Sequence, residues 1–272
     1  MNVKIKISAI LLFGLALSCS KNPFTGKSSL ALVSNSEILP SAFQQYNQFL
    51  SENKVVTGTA DAKRVETVGM KIKTAAERWL NANGYSSYLD GYAWEYKLVA
   101  SKEVNAWCMP GGKIVFYTGI LPICKDDAGM ATVMGHEVAH ALANHGQQRM
   151  SAGMLQQAGA AGVAIATGGK SEQTQQIAMT AYGATTEYGG MLPFSRSHES
   201  EADMIGLTLM AIAGYNPDTA IAFWQRMAAN SGGQAPPEFM STHPSNETRI
   251  ANIKSLIPKA KEEAAKFGVT FK

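Results

Sequence analysis

Two histidines stand four residues apart in the segment His136-Glu137-Val138-Ala139-His140. Four residues turn an α-helix by about 400°, so both imidazoles lie on one face and can bind the same metal ion. The carboxylate of Glu137 then lies beside that ion, where it can take a proton from an attacking water. The pattern therefore predicts a hydrolytic zinc site. The alternative is a solvated helix with two surface histidines.

A catalytic zinc site needs a third protein ligand and one open position. His145 follows His140 by five residues. The metzincin pattern requires a histidine six residues after, with a glycine midway, and this chain has Gly146 and Ala143 at those positions. We therefore interpret His145 as a residue that supports a ligand or caps a helix.

Better candidates for the third ligand lie about sixty residues downstream, on another predicted helix. Glu199 and Asp203 are four residues apart and share one helical face. Glu199 could bind the zinc ion while Asp203 hydrogen-bonds a ligating histidine and so fixes its ring. Glu201, on a different face, and His198 remain alternatives, and acidic residues on a helix can also form a simple solvated surface.

Three segments in this order resemble the zinc peptidase family that includes the CAAX prenyl proteases and the HtpX-type membrane peptidases. Within it, they resemble the secreted lipoprotein branch of the BepA and LoiP type. The segments are His136-Glu137-Val138-Ala139-His140, Glu199-Ser200-Glu201-Ala202-Asp203, and Ser241-Thr242-His243-Pro244 followed by Arg249-Ile250. The resemblance covers roughly residues 36–256. It implies a gluzincin-like fold, one Zn²⁺ per chain held by His136, His140 and Glu199, and Glu137 as the general base.

The same resemblance implies roles for residues that the spacing alone does not single out. Asn105 and Ala106 match an edge-strand motif that holds the substrate backbone. His243 matches a histidine near the metal, which either stabilises the oxyanion of the reaction or occupies the open zinc position at rest. Arg249 would pair with Asp203.

The elements that must position these residues give a mainly helical α+β fold. Apolar residues at three- and four-residue spacing predict helices at 36–50 and 61–80. Residues 92–99 and 113–117 predict strands of a small antiparallel sheet, with a turn at Pro110-Gly111-Gly112. A helix capped by Asp126 and Asp127 should run to about Met150. Further helices are predicted at 172–188, 196–213, 217–229 and 246–256.

The N-terminal residues 1–18 have the pattern of an export signal, with two lysines, an apolar run and no acidic residue. The run ends at Leu15-Ala16-Leu17-Ser18-Cys19, which resembles a bacterial lipobox with Cys19 as the lipidated residue. Plain secretion is the alternative. The predicted organisation is a signal peptide (1–18), a lipid-proximal tether (19–35), a metallopeptidase domain (36–256) and a peripheral C-terminal tail (257–272), with ordered structure from about Ser36.

Charge and cysteine content narrow the function classes further. The 24 basic and 21 acidic residues give a net charge of +3, and removal of 1–18 leaves 22 basic against 21 acidic. That balance gives no reason to expect a nucleic acid partner. Cys108 and Cys124 could form a disulfide in an oxidising compartment, and the alternative is two buried thiols.

The sequence thus favours a zinc-dependent endopeptidase of the bacterial cell envelope. We expect an outer-membrane lipoprotein that faces the periplasm, contacts the membrane through its N-terminal anchor and cleaves misfolded or stalled envelope proteins. The rival is an envelope chaperone or assembly factor with a latent zinc site, bound to the assembly machinery. Prenyl-protein processing and a purely structural zinc ion are weaker alternatives.

Overall fold

A computed structural model describes residues 19–230, 238–243 and 247–271. The predicted signal peptide (1–18), Pro244 and Lys272 lie outside the described residues. The helices are α1 (Asn35–Glu52), α2 (Ala60–Ala82), α3 (Leu121–Cys124), α4 (Asp127–Leu142), α5 (His145–Thr167), α6 (Glu172–Thr186), α7 (Leu192–Ile212), α8 (Thr219–Asn230), α9 (Glu238–Thr242) and α10 (Glu247–Ala265). The strands are β1 (Cys19–Lys21), β2 (Ser28–Leu30), β3 (Val55–Val56), β4 (Glu95–Val99), β5 (Ala106–Met109) and β6 (Lys113–Tyr117). The fold is mainly helical, as predicted.

Helix α4 carries both histidines of the predicted zinc motif and is the most deeply buried helix of the fold. Its N-terminus is capped as the sequence predicts, because the Asp126 carboxylate accepts a hydrogen bond from the backbone N–H of Gly129 at 2.8 Å. Small residues line the face where α7 crosses it. A Cβ atom on Gly206 would lie 2.8 Å from the backbone nitrogen of His136, and one on Gly135 would lie 2.7 Å from the Gly206 carbonyl oxygen. These two glycines let the helix backbones touch.

The helix predicted to run from Asp126 to about Met150 is instead two helices. Helix α4 ends at Leu142 and α5 begins at His145. Between them Asn144 adopts a left-handed conformation with φ of 56°, which asparagine tolerates better than most residues. The Tyr88 hydroxyl donates a hydrogen bond to the Leu142 carbonyl oxygen at 2.6 Å and so satisfies a terminal group of α4. The break turns His145 back toward the end of α4.

The main sheet has the strand order β3-β4-β6-β5, and it is mixed where an antiparallel sheet was predicted. The pairings β3 with β4 and β5 with β6 are antiparallel, but β4 and β6 are parallel. The reason is topological. After β4 the chain passes to the edge of the sheet as β5, and the predicted turn then returns it as β6 between its two neighbours. Gly111 and Gly112 in that turn have φ of 84° and 81°, which glycine adopts readily.

Ordered structure begins before the predicted start at Ser36. Strands β1 and β2 form an antiparallel hairpin within the segment predicted as a tether, and we call residues 19–30 the N-terminal hairpin. The Phe24 ring stacks on Trp79 of α2 with centroids 4.1 Å apart. The Asn22 side chain, which is 5% exposed, reaches Glu201 of α7. Such packed contacts account for order in a segment whose composition indicates flexibility.

The C-terminal helix runs through the boundary predicted at residue 257. Helix α10 extends from Glu247 to Ala265, with Pro258 in its interior. Apolar residues continue at helical spacing on both sides of the proline, and these are Ile253, Ile257, Ala260 and Ala264, all buried. This continuous buried face keeps the last residues on the body of the protein.

The remaining helices differ sharply in burial. The buried residues of α5 lie in its first two turns, and within the described chain α6 has none. Side chains such as Ile165 and Ile177 are 83% and 62% exposed. Among residues 19–230, 238–243 and 247–271, no helix is both long enough and apolar enough to cross a membrane.

The possible disulfide between Cys108 and Cys124 is not formed, and both residues are free thiols. Cys108 lies on β5, where its register partner is Ile114, whereas Cys124 ends α3 in the main core. Burial raises the pKa of both thiols, that of Cys124 to about 12. The alternative of two thiols is therefore the one found.

Candidate metal centre

Four side chains from three parts of the chain converge on one point. His136 and His140 come from α4, Glu199 from α7, and His243 follows α9. One ligand atom of each lies within 4.8 Å of all the others. The His136 Nε2 atom is 3.1 Å from His140 Nε2, 3.1 Å from His243 Nδ1 and 3.3 Å from a Glu199 carboxylate oxygen. Three nitrogens and a carboxylate thus face a shared centre.

The spacing of these atoms fits a zinc ion. Tetrahedral donors placed at the usual 2.0–2.1 Å from zinc are separated from one another by roughly 3.3–3.4 Å. Neighbouring donors in the cluster are 2.9 Å apart for His243 Nδ1 and Glu199 and 3.3 Å apart for His140 Nε2 and Glu199, and all four ligand atoms lie within 4.8 Å of one another. Imidazole nitrogens and a carboxylate are also the donor types that zinc prefers. The residues present therefore fit a zinc ion in type, number and spacing.

The electrostatics of the cluster favour a positive charge at its centre. Burial alone would lower the pKa of His136, but hydrogen bonds with Asp203 and Glu199 outweigh it and raise that pKa to about 9. Burial would likewise raise the pKa of Glu199, yet contacts with His136, His140 and His243 hold it well below its usual range. Burial lowers the pKa of His140. A single divalent cation would satisfy all the converging lone pairs, which one proton cannot do.

The ring of His136 is held from its far side by an acidic residue and an arginine. Its Nδ1 atom lies 3.0 Å from a carboxylate oxygen of Asp203, one turn beyond Glu199 on α7. Arg249 of α10 donates two hydrogen bonds to the same carboxylate, at 2.7 and 2.9 Å. The guanidinium lies 3.7 Å above the ring of Trp224. This arrangement fixes the tautomer and direction of the His136 ring.

Trp224 is a member of this site that sequence reasoning missed. It is fully buried on α8, where its ring packs against both Arg249 and His136. A tryptophan within an amphipathic helix is ordinarily a core residue, so no sequence signal distinguished it. Its place beneath a guanidinium and beside a candidate ligand appears only in three dimensions.

Glu137 is buried beside the cluster without joining it. The residue is 4% exposed, and its Oε1 atom makes no hydrogen bond within the described part of the chain. The Nε2 atom of His243 lies 3.4 Å from this Oε1 atom. Burial raises the pKa of Glu137, which brings a carboxylate closer to the range in which it exchanges protons near neutral pH.

The predicted substrate-binding residues lie at the edge of the main sheet. Ala106 begins β5, the terminal strand of the order β3-β4-β6-β5, and Asn105 precedes it. The Asn105 side-chain oxygen accepts a hydrogen bond from the Ala106 backbone N–H, and the Asn105 backbone carbonyl accepts one from the Tyr117 backbone N–H. The Phe239 backbone N–H of α9 donates to the Val104 carbonyl, so this edge is tied to the segment that carries His243.

The alternatives for the third ligand do not enter the cluster. Glu199 faces His136 and His140. Glu201 points away from them, and its carboxylate lies 3.6 Å from His145 of α5. His198 hydrogen-bonds Gln148 at 3.1 Å. The face argument that separated Glu199 from Glu201 therefore agrees with the geometry.

One family model and several named proteins are similar to this chain. A model described as Peptidase family M48 matches residues 68–257. The mitochondrial metalloendopeptidase OMA1 of Saccharomyces cerevisiae is 36% identical over 206 residues, which cover 73% of this chain and 56% of that relative. The human metalloendopeptidase OMA1 is 28% identical over 246 residues, with coverage of 88% and 46%. The beta-barrel assembly-enhancing protease of Escherichia coli is 30% identical over 165 residues, with coverage of 58% and 33%.

The chain spans about half the length, or less, of these relatives. The family match extends over most of the chain and includes the histidine pair of α4, Glu199 of α7 and His243. These are the residues that converge in the structure. The chain belongs to peptidase family M48, a family of zinc metallopeptidases.

Proposed function

We propose that this chain is a zinc-dependent endopeptidase that hydrolyses peptide bonds within polypeptides. The observation that carries the proposal is the convergence of His136, His140 and Glu199 beside the buried Glu137, whose Oε1 atom accepts no hydrogen bond from the residues that the structure describes. Three protein ligands and an adjacent general base are the components of a hydrolytic zinc site.

The mechanism assigns one task to each residue. His136, His140 and Glu199 would hold the zinc ion, which when bound polarises a carbonyl and makes water easier to deprotonate. Glu137 accepts the proton of the attacking water and delivers it to the leaving amine. Asp203, braced by Arg249, keeps the Nδ1 proton of His136 in place, so that its Nε2 lone pair points into the site.

The outer edge of β5, the terminal strand of the main sheet, would bind the substrate. An edge strand offers free backbone groups that pair with an extended peptide, and this recognition does not depend on side-chain identity. Asn105 holds the start of that strand through its own hydrogen bonds. The proposal therefore favours extended or unfolded polypeptides over compact domains as substrates.

His243 is proposed to close the site at rest. A catalytic zinc keeps one position open, yet His243 Nδ1 lies among the ligand atoms and its Nε2 faces Glu137. One imidazole in that place excludes both the substrate carbonyl and the attacking water. We therefore expect His243→Ala to raise the rate of peptide cleavage. A rate that falls by about 10²–10³ would instead assign His243 to oxyanion stabilisation.

The same position of His243 supports the second candidate function, an envelope chaperone or assembly factor whose zinc site stays latent. The two candidates differ in their need for Glu137. In cells that lack this protein, the Glu137→Gln variant could be tested for rescue of the envelope phenotype. Rescue to the level of the wild type would favour the chaperone. Failure of rescue would favour the peptidase.

We further propose that the protein is exported in bacteria and anchored through a lipid on Cys19, with misfolded or stalled envelope proteins as substrates. The apolar run before Cys19 and the similarity to the Escherichia coli protease support this location. The OMA1 relatives are mitochondrial by name, so location needs a direct test. Replacement of Cys19 by serine should move the protein from the membrane fraction to the soluble fraction. Unchanged fractionation of the variant would contradict the proposal of a lipid anchor on Cys19.

The test of the peptidase proposal is cleavage of an unfolded polypeptide by the purified, zinc-loaded protein and by Glu137→Gln. Loss of a general base should reduce the rate by about 10²–10⁴ while zinc content stays the same. Chelation of the metal should abolish cleavage, and added zinc should restore it. The matched control is Glu66→Gln, an exposed position on α2, which should cleave like the wild type. Equal rates for Glu137→Gln and wild type would overturn the proposal.

A further inference from the structure

A second buried cluster lies directly behind His140. It consists of His145, His198 and Glu201, the candidates for the third ligand that do not enter the metal centre. His145 Nδ1 lies 2.8 Å from His140 Nδ1. The rings of His145 and His198 stack with centroids 4.0 Å apart and an interplanar angle of 13°. Glu201 places a carboxylate oxygen 3.6 Å from His145 Nε2. His145 is completely buried, so this cluster is not a solvated surface.

The contacts of His140 determine which nitrogen atoms carry protons. Its Nε2 atom faces Glu199 and His136 in the candidate metal centre, so a metal ligand needs its lone pair there. The proton of the neutral ring must then sit on Nδ1 and be donated to His145 Nδ1. His145 in turn carries its proton on Nε2, which makes no hydrogen bond with the described residues and lies 3.6 Å from a carboxylate oxygen of Glu201. The hydrogens along this path all point one way, from His140 through His145 toward a negative charge.

Glu201 is fixed by the N-terminal hairpin. Its Oε1 atom accepts hydrogen bonds from the side chains of Asn22, at 2.6 Å, and Thr25, at 2.8 Å. These bonds leave Oε2 directed toward His145. The segment that follows the hairpin is tied to α5 as well, because the Leu32 backbone N–H donates to the Ser151 hydroxyl at 3.0 Å. The hairpin therefore sets the position of the carboxylate that ends the path.

We propose that His145 and Glu201 are positioning residues for His140, and that Asn22 and Thr25 of the N-terminal hairpin complete this support. The inference rests on the proposed function only in taking His140 as a zinc ligand. It makes the hairpin a part of the metal site, although nearly 180 residues separate it from Glu201 along the chain. Partners that orient a metal-bound histidine typically affect metal affinity by about 10–100-fold.

The decisive variant is Glu201→Gln, which keeps the side-chain shape. The amide oxygen can still accept from Asn22 and Thr25, but the amide nitrogen would face His145 Nε2 donor to donor. His145 must then change tautomer and direct a second proton at His140 Nδ1. We expect zinc affinity, measured by chelator competition, to fall by about tenfold or more. The visible absorption of the cobalt-substituted protein should shift, and urea unfolding of the metal-free protein should change little.

Two substitutions of His145 distinguish a positioning role from a packing role, because only one of them keeps a hydrogen-bond acceptor for His140. His145→Ala should lose zinc affinity, while His145→Asn should recover much of it, because an asparagine oxygen can accept the His140 Nδ1 proton. Thr25→Val, a substitution of nearly equal volume at a partly exposed position, should weaken zinc binding by about two- to fivefold, below the 10–100-fold typical of direct support. The matched control is Glu172→Gln at the exposed start of α6, which should bind zinc like the wild type.

Two outcomes would overturn the proposal. One is wild-type zinc affinity and cobalt absorption in Glu201→Gln and Thr25→Val. The other is an equal loss in His145→Ala and His145→Asn, which would reduce His145 to a packing role. Failure of the proposed function looks different. If His140→Ala still bound zinc like the wild type, the candidate metal centre itself would be wrong.

Discussion

His136 and His140 lie one turn apart on α4 and face the same point, yet the protein supports their rings in different ways. His136 contacts a carboxylate directly, since Asp203 lies 3.0 Å from its Nδ1 atom. The Nδ1 atom of His140, on the side away from the metal centre, reaches a carboxylate through a second imidazole, that of His145. The direct support comes from α7 and α10, whereas the indirect support depends on the N-terminal hairpin. We expect the short, charge-assisted support to have the larger energetic effect.

Asp203→Asn should break the direct support and give the largest effect. It leaves the buried guanidinium of Arg249 without its main anionic partner, which costs about 3–5 kcal/mol of stability. Zinc affinity should fall by about 10–100-fold. Urea unfolding of the metal-free protein and chelator competition measure the two effects. Asp218→Asn, in an exposed pair with Lys261, is the control and should change stability by less than about 1 kcal/mol.

Asp203→Asn with the stability of the wild type would contradict the assignment of Asp203 and Arg249 as a direct support. A zinc affinity lower in Glu201→Gln than in Asp203→Asn would reverse the comparison between the two histidines.

Arg249→Lys sharpens the comparison by keeping the charge and removing the planar pair of donors. A lysine ammonium is a point charge, so it cannot reproduce both hydrogen bonds to the Asp203 carboxylate. We expect a loss of about 1.5–3 kcal/mol, the value of one charge-assisted hydrogen bond. Thermal or urea unfolding measures it. Arg64→Lys, where the arginine is partly exposed, should cost no more than about 1 kcal/mol. Equal losses at both sites would show that charge alone matters at Arg249.

Gly206→Ala tests the helix crossing on which both supports depend. The added Cβ would meet the His136 backbone nitrogen at 2.8 Å, so α4 and α7 must separate. We expect a cost of about 1–3 kcal/mol and weaker zinc binding, because Glu199 and Asp203 move away from the histidines together. The control is Gly153→Ala in α5, where nothing lies within 4 Å and the helix should gain up to about 1 kcal/mol. A stabilised, zinc-binding Gly206→Ala would rule out a tight crossing.

The smallest effect is expected far from both supports, on α6. Ile177 is 62% exposed, so Ile177→Ala should change the free energy of unfolding by less than about 0.5 kcal/mol. The same substitution at Ile253, which is 1% exposed on α10, should cost about 2–5 kcal/mol. A large loss at Ile177 would mean that α6 packs against a surface in solution.

Much of the fold follows from local patterns. The apolar spacing of α2 predicted its buried face, and Val65, Val68 and Ile72 are all fully buried. Other features required tertiary contacts. A serine- and lysine-containing N-terminal segment indicates flexibility by composition, but Phe24 and Asn22 pack onto α2 and α7. The parallel pairing of β4 with β6 depends on where β5 lies, which no single strand encodes.

In the candidate site, too, some features follow from local sequence patterns and others depend on tertiary contacts. Helical periodicity alone placed His136 over His140 and Glu199 over Asp203, because side chains four residues apart share a face. The sequence also favoured Glu199 over Glu201 as the residue facing the histidines, and the structure agrees. What only the tertiary structure decided is how separate helices meet. The Gly135–Gly206 contact, the ring of Trp224 under Arg249 and the hydrogen bond from Asn22 to Glu201 join residues far apart in the chain. Periodicity specifies which side of a helix is buried, whereas the partner that covers it is selected by packing of the whole molecule.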